Sequence, residues 1–290
     1  MGDALRFGLV GAGPWARRVH VPGLLDHPAI DLVGVWTRRP EAAADLPVPH
    51  IPDYRDLLSQ VDAVAFAVPP AAQADLAATA AAAGKHVLLE KPIADTPARA
   101  RHLTDAVEAA GVISLVNLVR RFAPETVAWL AELHRAGTWA GASARWLSGA
   151  LLGGDYATST WRHEGGALAD IGPHVLDLLD AALGPVDKVL SAHHHTPDLW
   201  HLVLGHHSGA TSTATLSMHL PMRPTITEIS VYGTPGYREL TGRATAPTDA
   251  FTTALDLFTA LVAENTPAHP LDARRGLMLS HLTAAVLAAT

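Results

Sequence analysis

The sequence predicts an α/β architecture: an N-terminal doubly wound parallel sheet, followed by an α+β domain on a largely antiparallel open sheet. Three observations predict it. Over the first 120 residues, short apolar runs alternate with helical patterns, the rhythm of parallel strands and their crossovers. The first of these runs breaks into glycines just before a helix. Beyond about residue 120 the strands crowd together with turn residues between them. Domains over 1–120 and 121–290 follow, and 290 residues with 49% hydrophobic content can supply two cores.

The first strand runs from Arg6 to Val10 and gives way to a helix from Pro14, where the missing N–H costs nothing. Ile30 to Trp36 forms the second strand, and a short helix follows Pro40. Val61 to Val68 is the third strand. The next helix, Ala71 to Ala83, is alanine-rich because alanine is the best helix former, not because the segment is low in complexity. His86 to Glu90 is the fourth strand. A helix capped by Thr96, with Pro97 at its first position, precedes the last strand, Val112 to Asn117. Strands this uniformly apolar require helices on both faces of the sheet.

In the second half a helix from Pro124 to Ala136 comes first. Trp200 to His206 and Thr211 to His219 flank the hairpin turn Ser208-Gly209, and Ile226 to Tyr232 enters the turn Gly233 to Gly236. A helix from Pro173 to Leu183 stops at Gly184, and helices from Thr248 to Glu264 and Asp272 to Ala289 close the chain. An open sheet with one free face invites a second subunit, so a homodimer or homotetramer through the C-terminal sheet is expected.

Composition removes several classes of function. A net charge of −7 and the lack of a long basic stripe make nucleic acid a poor partner. No apolar run approaches the roughly 20 residues that span a bilayer, and no basic stretch leads into an apolar core at the N-terminus, so a cytoplasmic protein with no membrane partner is expected. Without cysteine there is no thiolate ligand or thiol nucleophile. His193-His194-His195 and His206-His207 alternate faces if they lie on strands, so no metal site is expected.

Gly11, Ala12, Gly13, Pro14, Trp15 and Ala16 read as a nucleotide cradle of the Rossmann type. Gly11 allows the tight turn, Gly13 lets backbone amides approach a diphosphate, and Ala16 keeps the helix close to the sheet. The helix start turns its amides and dipole toward two phosphates. At the end of the second strand, where an acid would grip a ribose hydroxyl, the chain has Thr37, Arg38 and Arg39. Two guanidinium forks suit a 2′-phosphate, so NADP is expected, with NAD the alternative that the nearby Glu41 keeps open. Lys91 and Pro92 follow Glu90 at a strand's carboxyl end, where open α/β sheets bind ligands. Asp170 and His174 lie four residues apart at a helix start, whose positive end favours a neutral, proton-accepting imidazole. The bland alternative is that Asp170 merely caps that helix.

Taken together these pieces resemble the glucose-fructose oxidoreductase, inositol dehydrogenase and rhizopine-catabolism family, Gfo/Idh/MocA, over essentially the whole length. The resemblance rests on Gly11 to Ala16, on Ala83 to Val87 leading to Glu90-Lys91-Pro92, on Arg121-Phe122, on Gly165 to His174, and on Val231-Tyr232-Gly233. It implies that Lys91 is the active-site lysine and that Asp170 and His174 are the acid and imidazole beside the substrate. It further implies that Glu90, Pro69, Asn117, Trp161 and Arg162 line the nicotinamide or the substrate cleft, with Val68 also beside the cofactor. Pro70 and Gln73 stand at cofactor-facing positions where the family commonly has Asn and His. A cis bond at Lys91-Pro92 is frequent in the family. The second domain departs in being short between Leu147 and Trp161.

The expected activity is NADP-dependent hydride transfer between nicotinamide and a secondary alcohol or ketone of a sugar, cyclitol or related polyol. His174 would exchange the hydroxyl proton, and Lys91 would hydrogen-bond the substrate oxygen. Two alternatives share the scaffold: an NAD-assisted glycosidase-type enzyme, and a non-catalytic protein that binds NADP(H) or a metabolite.

Overall fold

Five short strands, β1 (Leu5–Val10), β2 (Ile30–Trp36), β3 (Ala63–Phe66), β4 (His86–Leu89) and β5 (Ser114–Val116), pair in parallel in the order β2-β1-β3-β4-β5. This computed structural model describes residues 4–290. Because β1 pairs with β2 on one side and β3 on the other, the order reverses at β1, and the carboxyl ends of β1 and β3 bound the crevice where such sheets take ligands. Phe7, Leu9, Val64, Phe66, Leu88 and Leu115 are fully buried, as strands covered on both faces must be.

The crossovers follow from local chemistry. The chain is helical from Pro14, but Ala16–His20 forms a π-turn before α1 (Val21–Asp26). Pro22 has no N–H to donate, so the ladder is offset there and Val21 N–H donates to Ala16 O, five residues back. A 3-10 turn, Pro40–Ala43, and α2 (Tyr54–Gln60) follow, with Asp53 accepting from Arg55 N at the helix start. Next come α3 (Pro70–Ala82) and α4 (Pro97–Ala110). Thr96 Oγ1 caps α4 from Arg99 N, and Gly111 ends it in the left-handed region at φ 63°.

The second sheet has six strands in the order β11-β10-β6-β9-β8-β7: β6 (Gly141–Leu147), β7 (Val186–His195), β8 (Leu199–His206), β9 (Thr211–Ser217), β10 (Ile226–Gly233) and β11 (Gly236–Thr241). All its pairings are antiparallel except β6 with β9, so the sheet is mixed. The helices α5 (Pro124–Ala136), α6 (Thr160–Asp170) and α7 (Gly172–Leu183) belong with it. Ala144, Trp146, Leu202, Leu204, Ala214 and Leu216 are buried, whereas the alternate positions Arg145, His201, Thr211 and Thr213 are exposed, the period of two that leaves one face open.

The chain divides into two compact units, one of residues up to Phe122 with Ala246–Ser280, the other of Ala123–Thr245 with His281–Thr290. A single cut at residue 120 misses the return of α8 (Pro247–Ala263) and the first half of α9 (Ala273–Ala288) to the nucleotide-type sheet. Apolar packing drives that return: Phe251 and Phe258 are fully buried, and the Phe258 ring lies 5.4 Å from that of Phe7 on β1. Among the described residues, no helix is long and apolar enough to cross a membrane.

Candidate active site

The cradle residues stand where strand β1 ends. Gly11 has φ 112°, and its N–H donates to Trp36 O at the end of β2. A Cβ on Gly11 would lie 2.4 Å from Ala67 O, so both the close approach and the positive φ require glycine. A Cβ on Gly13 would meet nothing within 4 Å, so this turn is open to an approaching group. Together with the helix beginning at Pro14, the turn fits a dinucleotide diphosphate. Arg17 braces the neighbouring loop, reaching Asp45 and the Ala42 carbonyl, and this ion pair holds the Asp45 carboxyl below its ordinary range. Thr37 is partly exposed after β2, and Arg38 and Arg39 are exposed beside it; neither arginine makes an ion pair among the described residues. Glu41 lies in the 3-10 turn that follows.

Glu90, just beyond β4, is a buried hub. Its Oε1 accepts from Trp15 Nε1 at 2.7 Å and Asn117 Nδ2 at 2.7 Å, and lies 2.9 Å from His20 Nε2. A carboxylate there requires the His20 proton on Nε2, which leaves Nδ1 as the lone pair buried without a partner. His20 is fully buried against Phe251, with ring centroids 4.5 Å apart. The sequence reading missed His20; the proline nine residues after the second glycine of the cradle, Pro22, was the available sign that the helix would be offset there.

Gln73 is fully buried and occupies both ends of its amide with main chain: Nε2 donates to Glu90 O at 2.6 Å, and Oε1 accepts from Glu90 N at 2.8 Å. It braces the segment that carries Lys91, whose bond to Pro92 is cis. Pro69 O accepts from Gln73 N and Ala72 N at the start of α3, Pro70 is buried, and Val68 lines the approach to Gly11.

In the second unit, His174 occupies the first turn of α7 and is 4% exposed, its ring stacked on Trp146 at 5.8 Å and 21°. Asp170 ends α6 and does not cap α7. Its Oδ2 instead accepts from Arg162 Nε at 2.9 Å, and the Arg162 guanidinium lies over the rings of Tyr156 and Trp161 at 4.3 and 4.4 Å. The backbone breaks between these groups at Gly166, φ 58°, where a Cβ would lie 2.3 Å from Asp198 Oδ1. Asp198, 3% exposed, accepts from Ala167 N and Met218 N, both at 2.8 Å, and so ties the break in α6 to the end of β9. No spacing rule in the sequence pointed to Asp198.

Two histidines from the consecutive tracts have structural partners. His194 stacks on Trp200 at 4.2 Å, and His206 bonds Gly184 O and Ser212 Oγ. Among the described residues, no three His, Asp or Glu side chains are grouped to hold a metal ion.

Residues 5–118 match the oxidoreductase family with an NAD-binding Rossmann fold, and residues 134–239 match the GFO/IDH/MocA C-terminal domain. The chain is 42% identical over 94 residues to galactose 1-dehydrogenase of Pseudomonas fluorescens, covering 30% of this chain and 29% of that protein. It is 30% identical over 191 residues to dTDP-3,4-didehydro-2,6-dideoxy-alpha-D-glucose 3-reductase of Streptomyces antibioticus, covering 62% and 57%. The alignments thus span from under a third to under two thirds of these curated relatives. The crystal structure of the WlbA dehydrogenase from Bordetella pertussis, in complex with NADH and UDP-GlcNAcA, superposes with a TM-score of 0.82 at 24% identity, over 100% of this chain and 96% of that one. At that identity the likeness shows the fold.

Proposed function

Because the chain belongs to the Gfo/Idh/MocA family of oxidoreductases, we propose that it moves a hydride between NADP and a secondary alcohol or ketone of a sugar, cyclitol or related polyol. One observation carries this reading: the glycine cradle and the Glu90-Lys91 strand end lie at the same edge of one parallel sheet, joined by the Trp15 to Glu90 hydrogen bond. The sugar dehydrogenase and sugar ketoreductase among the relatives support the substrate class.

In this reading Gly11, Ala12, Gly13 and the helix start hold the diphosphate, and Thr37, Arg38 and Arg39 take the 2′-phosphate. The nicotinamide supplies or accepts the hydride when bound. Lys91 donates a hydrogen bond to the substrate oxygen and stabilises the charge that develops on it. His174 exchanges the hydroxyl proton, and Asp170, fixed by Arg162, holds a neighbouring hydroxyl. The open face of the six-stranded sheet, with Tyr232 and Tyr237 exposed, takes a second copy of the chain.

The test is a fluorescence titration with NADPH, followed by a screen of polyols and keto-sugars for a change in nicotinamide absorbance. Net cofactor turnover is expected. Glycoside cleavage without net turnover would favour the NAD-assisted hydrolase, and binding with no reaction would favour a sensor. Lys91→Ala should lower turnover by about 100-fold or more while the NADPH Kd stays within a few-fold. Equal loss of both contradicts the assigned role.

A further inference from the structure

One guanidinium in the second unit has no use in the mechanism above. Arg243 follows β11, and its Cζ lies 5.9 Å from the ring centroid of Trp146, the same indole that stacks on His174. Arg243 makes no hydrogen bond or ion pair among the described residues. The acid whose field reaches it, Glu125, is already held by Thr245, accepting from its N–H at 3.1 Å and its hydroxyl at 2.5 Å.

The surroundings of Arg243 are unusual for a surface arginine. Its side chain reaches solvent, yet burial pushes the guanidinium down from the ordinary arginine range, with Tyr156 and Glu125 pulling the other way. A cation that reaches solvent yet has lost part of its hydration holds an anion more strongly than one on open surface. Tyr156 also links it to the rest of the cluster, since Arg162 lies over that ring and pairs with Asp170. Arg162 is thus paired with Asp170, whereas Arg243 has no carboxylate within hydrogen-bond reach among the described residues and lies near the face of Trp146. Aromatic faces suit the apolar side of a sugar ring, and a spare guanidinium suits a carboxylate or phosphate, which it can grip with two parallel N–H donors.

We propose that Arg243 is a specificity residue that holds an anionic substituent, carboxylate or phosphate, on the sugar substrate. This rests on the oxidoreductase reading for the identity of the site, and it is tested by binding without turnover. The full-length protein is titrated calorimetrically with glucose, glucuronate and UDP-glucose; the second probe carries a carboxylate on the ring, the third a diphosphate. At least one anion should bind about 10- to 100-fold more tightly than glucose. Arg243→Gln should collapse that ratio toward one, and Arg243→Lys, which keeps the charge but not the fork, should retain part of it. Equal binding of all three probes, no measurable binding of either anion, or an unchanged ratio in Arg243→Gln overturns the proposal. A protein that binds the anion through Arg243 but turns over no cofactor would sink the oxidoreductase reading and leave this one standing.

Discussion

The indole N–H of Trp15 donates to Glu90 Oε1 at 2.7 Å, joining residues 75 positions apart and coupling the glycine turn to the strand end that carries Lys91. His20 and Asn117 converge on the same oxygen, so the charge on Glu90 strengthens three bonds at once. Glu90→Gln keeps the shape and removes the charge. It should destabilise the fold by about 1–3 kcal/mol in urea unfolding and shift the tryptophan emission. Wild-type stability in this variant would mean that the hub is neutral.

Arg38→Ala should weaken NADPH by roughly 10- to 100-fold, the worth of a charge-assisted contact to a phosphate, and leave NADH nearly unchanged. Fluorescence titration with both nucleotides reads the difference directly. Parallel losses would show that Arg38 does not reach a 2′-phosphate.

Asp198→Ala removes the acceptor of two buried main-chain N–H groups, on Ala167 and Met218. Each orphaned donor costs about 1–3 kcal/mol, so a loss of about 2–6 kcal/mol is expected by chemical denaturation. A loss under 1 kcal/mol would show that water replaces the carboxylate.

Acidification should act through His86. Burial pushes its imidazole below the ordinary range, and its Nδ1 accepts from Ile113 N, a role only the neutral ring can fill. The folded pKa lies below the unfolded one, about 6.5, so this contribution is intact above that pH. It is lost as the pH falls below it, because the unfolded chain takes up the proton first. His86→Gln should flatten the fall in unfolding free energy as the pH drops below about 6.5. His269, lowered by burial as well, keeps some slope in the variant.

The parallel sheet was legible because strands covered on both faces are apolar throughout, and the Thr96 cap and the Gly11 turn each follow from one residue's chemistry. β6 and β7 were not. β6 alternates, but largely through small residues that give a weak hydrophobic signal, and β7 is an edge strand with hardly a buried position. Gln73 was read as facing a cofactor, whereas its amide closes on the main chain of Glu90, a contact that depends on how α3 meets β4. His20 and Asp198 act through partners 70 and 31 positions away, distances over which no local pattern operates. Nor do the apolar faces of α8 and α9 say which of two sheets they cover.

The placement of Phe251 and Phe258 against the opening strand has a consequence for how the protein is made. A ribosome delivers the first half's β-strands early, but the helix that seals them emerges only after Ala123–Thr245 has been translated. The nucleotide-type half is thus begun first yet closed only after most of the other unit has been made, and a gene cut after residue 122 would yield a sheet missing one wall.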